Sequence, residues 1–333
     1  MSEITLYQAF EGFLLEAQAE GKSHYTIRNY RNTFNKVKLF ITEDKPLSKI
    51  TRSDWVEFFY WIQNDYTPHL GGVAPRKIEH LSPKTVNNYH TNLKAFYTWA
   101  TAPGVELVET HYIKQIPAPR YEKPPIETLT KADFKKLLTA CDETRAWRNA
   151  PDVTAERPTA TRDKAILHLL LSTGIRASEL CDIQFRDIDI KKHTILVGGK
   201  GKGRGKKWRT VYFGKSAGRA LWLYLAPKIA TIEPEERIFT VGRAGEERPM
   251  SRGALRQLIQ RLGVRANLEK NCYPHLFRHT FATEFLRNGG DILKLKAILG
   301  HSSMEMVQRY VHFVEADAAK THAGADPADN WHV

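Results

Sequence analysis

Histidine, arginine and tyrosine side chains near the C-terminal end could together act on a phosphodiester. His275 and Arg278 form a His-x-x-Arg pattern on one predicted helix face, while the adjacent His279 is expected to point elsewhere. His301 follows a Leu-Gly pair, and Tyr310 comes nine residues later. Such an attack needs cationic donors on the non-bridging oxygens and a proton for the leaving oxygen. Tyrosine, with an ordinary pKa of about 10, needs cationic neighbours to serve as the nucleophile.

A second basic group lies about a hundred residues upstream. Arg176 stands in Thr-Gly-Ile-Arg-Ala-Ser-Glu-Leu, and Lys200 follows it after 24 residues. Guanidinium groups suit phosphate because they donate two parallel hydrogen bonds and stay charged. Each of these residues has an ordinary alternative when taken alone: an ion-pairing arginine, a packing histidine or a core tyrosine. The order and spacing of the whole set therefore carry the hypothesis.

Glycine and basic residues alternate between two predicted strands, in Gly-Gly-Lys-Gly-Lys-Gly-Arg-Gly-Lys-Lys-Trp-Arg. The segment matches neither the P-loop spacing nor GxGxxG. It is typical of a flexible cationic hairpin that enters a groove or follows phosphates. The alternative is a solvated basic turn. The candidate DNA-binding residues are Lys202, Arg204, Lys206 and Lys207.

Composition indicates an ordinary globular protein with an excess of positive charge. The 333 residues are 42% hydrophobic and 26% charged, and their length favours two domains. The formal charge is +13 and the sequence pI about 9.5. Residues 1–115 carry 13 basic and 12 acidic residues, so residues 116–333 hold 37 and 25. This balance favours a polyanionic partner at the C-terminal part, against the alternative of a merely basic protein.

Three cysteines, no membrane-length apolar run and no signal-like start predict a protein of a reducing cytoplasm. Cys141, Cys181 and Cys272 are too far apart for a CxxC-type zinc site, and their odd number argues against a disulfide framework. No apolar run reaches the roughly 20 residues of a membrane span. We therefore expect neither a metal site nor a membrane association.

Helical periodicity dominates residues 1–115. Two of the predicted helices repeat a pattern, Ser-x-x-Thr-Ile-x-Asn-Tyr from Ser23 and Ser-x-x-Thr-Val-x-Asn-Tyr from Ser82. The repeat suggests internal pseudo-symmetry, with coincidence as the alternative, and the aromatic residues are expected in the core. Four prolines follow within residues 115–125, which predicts an extended linker over residues 116–127.

Residues 128–333 are predicted to form a mixed α/β domain, mostly helical with a small antiparallel sheet. A strongly apolar helix is expected from Arg162 to Ser172, ended by Gly174 as a C-terminal cap. Polar residues 144–161 are interpreted as an exposed loop or insertion. A final helix should carry Tyr310, with a tail from about residue 314.

The residue types, their order and their spacing resemble the Xer branch of the tyrosine recombinases, the phage integrase family. The likeness covers nearly the whole chain: a mainly α fold with an N-terminal SAM-like core-binding domain, a linker and a catalytic domain with a small sheet. It implies a clamp on duplex DNA and strand exchange through a Holliday junction in a homotetramer, with a paralogous recombinase as an optional partner. No metal or nucleotide cofactor would be needed, and the protein would be cytoplasmic, at the nucleoid when bound to DNA.

The same resemblance assigns a role to each candidate. Tyr310 would attack the scissile phosphate to give a 3′-phosphotyrosyl bond, with Lys200 as the acid toward the 5′ oxygen. Glu179 would orient its neighbours from behind the phosphate-binding groups. The remaining residues would contact the phosphate or assist proton transfer: Arg176, Arg278, His275 and His301.

Two departures and two rival functions remain. The insertion at 144–161 is longer than a minimal Xer-like protein needs, and the lysines beside Lys200 make its assignment the least secure. The lack of an N-terminal arm-binding domain argues against a lambda-type integrase. Type IB topoisomerases share this chemistry but relax DNA without a partner site. A catalytically silent DNA-binding protein is the other rival, and the intact set of candidate residues argues against it.

Overall fold

The computed structural model describes residues 3–68, 80–122, 125–147, 150–198, 208–242, 246–300 and 303–315. The chain divides into two compact units, Met1–Pro124 and Pro125–Val333, each with its own hydrophobic core. The predicted mainly α fold with a small antiparallel sheet is confirmed. The two units meet at a single position, between Pro124 and Pro125. That division does not show where a linker begins or ends, so its limits of 116–127 stay a prediction.

The N-terminal unit is helical where it is described. Short 3₁₀ turns at Leu47–Lys49 and Tyr112–Gln115 join or follow its helices. Over residues 3–68 and 80–122 the α-helices are α1 Leu6–Ala19, α2 His24–Phe40, α3 Arg52–Asn64 and α4 Pro83–Ala100.

The repeated serine–threonine pattern forms the same cap at the start of two helices. Ser23 Oγ accepts a hydrogen bond from the Thr26 backbone N–H at 3.1 Å in α2, and Ser82 Oγ accepts from the Thr85 N–H at 3.3 Å in α4. In both, the serine and threonine hydroxyls also hydrogen-bond, at 2.8 and 2.9 Å. The sequence repeat thus encodes a repeated local structure, since side-chain oxygens satisfy N–H groups that a helix start leaves unpaired.

Aromatic side chains fill the core of this unit, as the sequence predicted. Phe10 stacks on Phe34 with ring centroids 3.9 Å apart, and Phe96 meets Phe10 edge-on at 4.8 Å. The buried Trp55 indole donates to the Tyr97 hydroxyl at 2.6 Å, so neither polar tip is left unsatisfied. These rings therefore stabilise the unit and are not free to stack on bases.

The C-terminal unit combines helices with short antiparallel strands. Among its described residues the helices are α5 Lys131–Asp142, α6 Ala160–Thr173, α7 Ala177–Asp182, α8 Lys215–Leu225, α9 Arg252–Arg265, α10 Pro274–Arg287, α11 Ile292–Leu299 and α12 Glu305–Glu315. The strands are β1 Glu143–Trp147, β2 Ala150–Glu156, β3 Ile188–Asp189, β4 Thr194–Gly198, β5 Trp208–Tyr212, β6 Thr240–Val241 and β7 Arg248–Pro249.

The predicted small sheet has the strand order β3-β4-β5, and its buried residues belong to the core of this unit. Ile195 pairs with Ile188 on one side and Val211 on the other. Ile195 and Val211 are fully buried, whereas Leu196, the next residue after Ile195 on β4, is exposed. The period-2 alternation therefore sets the register, because a shift of one residue would expose the buried pair.

Residues 144–161, expected to form an exposed loop or insertion, contain regular strand pairing where they are described, so the loop alternative does not hold there. Strands β1 and β2 form an antiparallel hairpin there, with Thr144 opposite Ala155 and Arg145 opposite Thr154, and α6 begins at Ala160. The polar composition of this segment suggested a loop. The backbone N–H and C=O groups of two paired strands can nevertheless hydrogen-bond to each other whatever the polarity of the side chains. Pro151 lies in the irregular part of the pairing, where a missing N–H is tolerated.

Helix α6 runs through the core and ends where the sequence predicted. Gly174 caps it in the left-handed region with φ +60°. Five of its apolar residues are fully buried: Ala165, Ile166, Leu167, Leu169 and Leu170. A Cβ at Gly174 would meet the ring of Phe281 at 2.4 Å and Leu299 at 3.0 Å. Glycine is thus required both by the backbone conformation and by the close approach of α10 and α11.

A smaller apolar cluster joins the last three helices. Ala282 on α10, Leu295 and Leu299 on α11, and Val307 and Tyr310 on α12 are buried together. Because the ring of Tyr310 belongs to this cluster, packing fixes its position relative to α10. Among the described residues, no helix is long and apolar enough to cross a lipid bilayer.

Candidate active site

Arg176 begins a short helix immediately after the glycine-capped end of α6. It is the N-cap of α7, with φ −74° and ψ 153°. Its backbone N–H donates to Glu179 Oε2 at 2.8 Å, which closes the first turn of the helix. The side chain is held as well, because Nη1 donates to Glu179 Oε1 at 2.9 Å. The glycine stop and the capping carboxylate together fix where the guanidinium lies.

Glu179 is a buried carboxylate that joins two arginines. Besides Arg176, it accepts hydrogen bonds from Arg209 Nη1 at 2.8 Å and from Arg209 Nη2 at 2.9 Å, a bidentate pair. Burial alone would raise its pKa, but the hydrogen bonds and charges of Arg209 and Arg176 bring the pKa of this carboxyl below its usual value. Glu179 is therefore ionised at neutral pH, and its charge balances part of the arginine cluster.

Arg278 lies on α10 and is 3% exposed. Its Nη1 donates to the Gly174 carbonyl at 2.8 Å, which ties the end of α6 to α10. Burial, and then the positive charge of Arg176, lower the pKa of Arg278 to about 10. The guanidinium remains charged near neutral pH. A buried, charged donor of this kind is costly without an anion and favourable with one.

Three arginines from three elements hold the C-terminal end of α11. The last carbonyls of a helix have no partner within it and carry the negative end of its dipole, so cations are favoured there. We call this arrangement the three-arginine clamp, and it fixes the backbone immediately before residue 301. Its hydrogen bonds run from Arg209 Nε to the Ile298 carbonyl at 2.7 Å, from Arg278 Nη2 to Leu299 at 2.8 Å and from Arg176 Nη2 to Gly300 at 2.8 Å.

His275 lies one turn before Arg278 on the same face of α10, as the i, i+3 spacing predicted. Burial lowers the pKa of His275, and the positive charges of Arg278 and Arg176 lower it further. The imidazole is therefore neutral near pH 7 and carries one donor and one acceptor nitrogen. Both charges act on this imidazole from the same cationic cluster.

Tyr310 on α12 is 4% exposed, and its hydroxyl forms a hydrogen bond with His279 Nδ1 at 2.8 Å. Burial raises the pKa of Tyr310, while the charges of Arg278 and Arg309 partly offset that rise. The phenol is thus protonated in the DNA-free protein. The expectation that His279 points elsewhere was wrong: His275 and His279 are four residues apart and share a helix face, with ring centroids 6.4 Å apart.

Two of the predicted catalytic residues and all four predicted DNA-binding residues lie outside the described residues: Lys200, His301, Lys202, Arg204, Lys206 and Lys207. The others lie within the C-terminal unit. Arg176 contacts Glu179, and Arg176 and Arg278 bind carbonyls of adjacent residues. Tyr310 bonds His279, which lies one turn beyond His275 on α10. In the part of the chain that is described, no group of three or more acidic, histidine or cysteine side chains could hold a metal ion.

Sequence reasoning missed Arg209 and His279. A signal existed for each of them. Arg209 precedes the buried Val211 by two residues on β5, so it faces the same inner side of the sheet, where an arginine needs a partner. His279 follows His275 at the spacing of one helical turn. Their partners, Glu179 and Tyr310, are distant in sequence, so the contacts themselves were not predictable.

Both units of the chain resemble known proteins. Residues 127–316 match the phage integrase family, and residues 5–115 match the phage integrase SAM-like domain. These matches include most of both units, and the chain belongs to the phage integrase family of tyrosine recombinases, enzymes that cut and rejoin DNA strands. Within it the chain is Xer-like: it is 28% identical to tyrosine recombinase XerC of Oceanobacillus iheyensis over 336 aligned positions, 99% of each chain.

Two solved structures share the fold at lower identity. The Tn1549 transposon integrase in complex with transposon right end DNA is 20% identical, with a TM-score of 0.69 over 96% of this chain and 100% of that chain. A lambda integrase tetramer bound to a Holliday junction is 16% identical, with a TM-score of 0.65 over 90% of this chain and 78% of that one.

Proposed function

We propose that this chain is a site-specific recombinase in which Tyr310 attacks a DNA phosphate. The attack forms a 3′-phosphotyrosyl bond and releases a 5′-hydroxyl. The intermediate conserves the energy of the broken bond, so the strand can be rejoined to a new partner without a cofactor. Two successive exchanges, through a Holliday junction in a homotetramer, then complete recombination.

The main support is the convergence of a tyrosine with arginine and histidine side chains from separate elements. The Tyr310 hydroxyl bonds a histidine of α10, and the charge of Arg278 acts on it. Arg278 and Arg176 bind carbonyls of adjacent residues, so both guanidinium groups reach one point in the fold. Burial, and then the charge of Arg176, lower the pKa of Arg278, and a phosphate there would compensate both the lost solvation and the repulsion.

Each residue then has a defined task in the proposal. Arg176 and Arg278 bind the non-bridging oxygens, and Glu179 positions Arg176. His275, neutral and under the charges of both arginines, hydrogen-bonds the phosphate or assists proton transfer. His301 and Lys200 complete the set: His301 follows the clamped end of α11 directly and hydrogen-bonds the phosphate, while Lys200 gives a proton to the leaving 5′ oxygen.

The proposed partner is a duplex recombination site, bound in the cytoplasm. The net charge of +12 over residues 116–333 favours a polyanion, and Lys202, Arg204, Lys206 and Lys207 would follow its phosphates. Assembly as a tetramer rests on the likeness to the lambda integrase tetramer on a Holliday junction. A paralogous recombinase would be the second subunit type if the assembly is mixed. Dimer resolution and the integration or excision of a mobile element would use the same chemistry.

The proposed nucleophile can be tested by selecting the DNA site from a random pool. Nicked duplexes with a randomised centre are incubated with the protein, and covalent adducts are recovered after denaturation. Repeated selection should yield a sequence on which the unmodified protein forms an adduct and Tyr310→Phe binds without forming one. An adduct from Tyr310→Phe would overturn the proposed nucleophile.

The rival functions give different products on the selected sequence. A recombinase should exchange strands between two plasmid-borne sites and accumulate four-way junctions. A topoisomerase should relax a supercoiled plasmid that carries one site, with no exchange between two. Binding without any adduct from the unmodified protein would indicate a catalytically silent DNA-binding protein.

A further inference from the structure

Among the described residues, His279 is the one hydrogen-bond partner of the Tyr310 hydroxyl. The Oη–Nδ1 distance is 2.8 Å, within the normal range of a hydrogen bond, and the ring centroids are 5.7 Å apart. With the imidazole proton on Nε2, the phenol donates and Nδ1 accepts. This is the geometry required of a base, which must lie within hydrogen-bond reach of the proton that it takes.

The two histidines of α10 face different partners. His275 is influenced by Arg278 and Arg176, the proposed phosphate-binding groups, whereas His279 contacts the nucleophile itself. The two imidazole rings lie one helical turn apart, with their centroids separated by 6.4 Å. Among the described residues, the hydrogen bond to the nucleophile thus belongs to His279 and not to His275.

We infer that His279 is the general base that accepts the Tyr310 proton as the phosphotyrosyl bond forms. The inference rests on the proposed function, in which Tyr310 is the nucleophile. It gives the proton of the nucleophile to His279, the residue in contact with the Tyr310 hydroxyl, and leaves His275 to the phosphate.

The step balances as follows. The Tyr310 O–H bond breaks, the proton passes to His279 Nδ1, and the phenolate oxygen forms a bond to phosphorus. The bond between phosphorus and the 5′ oxygen breaks, and that oxygen leaves with the electron pair and takes a proton from Lys200. Rejoining is the reverse: the 5′-hydroxyl attacks, and His279 returns its proton to the tyrosine oxygen.

The electrostatic surroundings agree with transfer during the attack rather than before it. Burial, followed by the charges of His275, Arg309 and Arg278, lowers the pKa of His279 to about 4, so the imidazole is neutral and able to accept. Burial raises the pKa of Tyr310, so the phenol keeps its proton until phosphorus is bonded. An incoming phosphate brings the negative charge that stabilises the imidazolium.

The test compares variants in single-turnover adduct formation on the selected nicked duplex. His279→Asn keeps an acceptor oxygen near the position of Nδ1 but has no basicity, so it separates proton transfer from positioning. We expect His279→Asn to slow adduct formation by about 100-fold or more. The matched control is His168→Asn, a partly buried histidine that packs on Phe134 in α5, and it should cleave at the normal rate.

A substrate with a 5′-bridging sulfur distinguishes the base from the acid. Thiolate leaves without a proton, so this substrate should restore Lys200→Ala but leave His279→Asn slow. Imidazole added to His279→Ala should accelerate cleavage, which supports the base even if the asparagine variant is unstable.

Three results would overturn the role of His279. They are an asparagine variant as fast as the unmodified protein, recovery of that variant on the sulfur substrate, and no response of His279→Ala to imidazole. If Tyr310→Phe is inert in those assays, only the base is wrong. If Tyr310→Phe forms an adduct, the proposed function itself fails.

Discussion

Replacing Glu179 with glutamine should destabilise the C-terminal unit by about 3 kcal/mol. The buried carboxylate accepts hydrogen bonds from Arg209 and Arg176, and an amide nitrogen cannot accept those directed at one of its two oxygens. Each lost bond to a charged group costs about 1.5–3 kcal/mol. The two arginine side chains are 15% and 21% exposed, so water recovers part of that loss.

The effect of Glu179→Gln should depend on pH with a defined sign. The folded-state pKa of Glu179 lies below its unfolded value of 4.5, so its contribution is complete above that pH. The contribution is lost as pH falls through the lower folded-state pKa. The difference in unfolding free energy between the two proteins should therefore be constant from pH 6 to 8 and shrink below pH 4.5.

Urea titrations followed by circular dichroism measure this difference, with the N-terminal unit as an internal reference. The matched control is Glu235→Gln, which removes an exposed carboxylate 3.1 Å from Arg186. An exposed ion pair contributes about 0–1 kcal/mol, so this variant should be nearly neutral. A Glu179→Gln loss no larger than that of Glu235→Gln, or one that persists unchanged in acid, would refute the assigned network.

Three further predictions concern the elements around the site. Arg209→Lys keeps the charge but cannot bind Glu179 bidentately and hold α11 at once, so urea titration should show a loss of about 2 kcal/mol; an unchanged midpoint contradicts this. Gly174→Ala should lower the free energy of unfolding by about 3 kcal/mol, because alanine is strained in the left-handed region and its Cβ would contact Phe281. Gly289→Ala, at φ +79° with open space around it, should lower it by only about 1 kcal/mol. Equal losses would exclude the contribution of the contact with Phe281. The three cysteines are buried, and burial raises their pKa to about 11 or 12. Mass spectrometry should therefore show that iodoacetamide modifies them only when the protein is unfolded in urea. Rapid labelling of the native protein would contradict their burial.

Local signals predicted several helices, among them those that follow Ser23 and Ser82 and the one that Gly174 ends. Ser23, Ser82 and Ser251 cap helices because each offers an oxygen to the third residue beyond it. Gly174 ends α6 because a left-handed residue is needed there. The alternation around Ile195 predicted the small sheet. These features depend on a few neighbouring residues, so they are readable from sequence.

The features that sequence reasoning missed depend on tertiary contacts or on backbone pairing. The β1–β2 hairpin needs no apolar face, so hydrophobic periodicity could not reveal it. The bond from Arg209 to Glu179 and the bond from His279 to Tyr310 each span about thirty residues. Spacing predicted the shared face of His275 and Arg278, but not that three arginines hold the end of α11.

The central claim is that Tyr310 forms the covalent link to DNA. The most direct measurement is mass spectrometry of the adduct trapped on the selected nicked duplex, after digestion with protease and nuclease. We expect a nucleotide joined through its 3′-phosphate to a peptide that contains Tyr310. A nucleotide joined to any other residue, or a tyrosine linked through a 5′-phosphate, would contradict it.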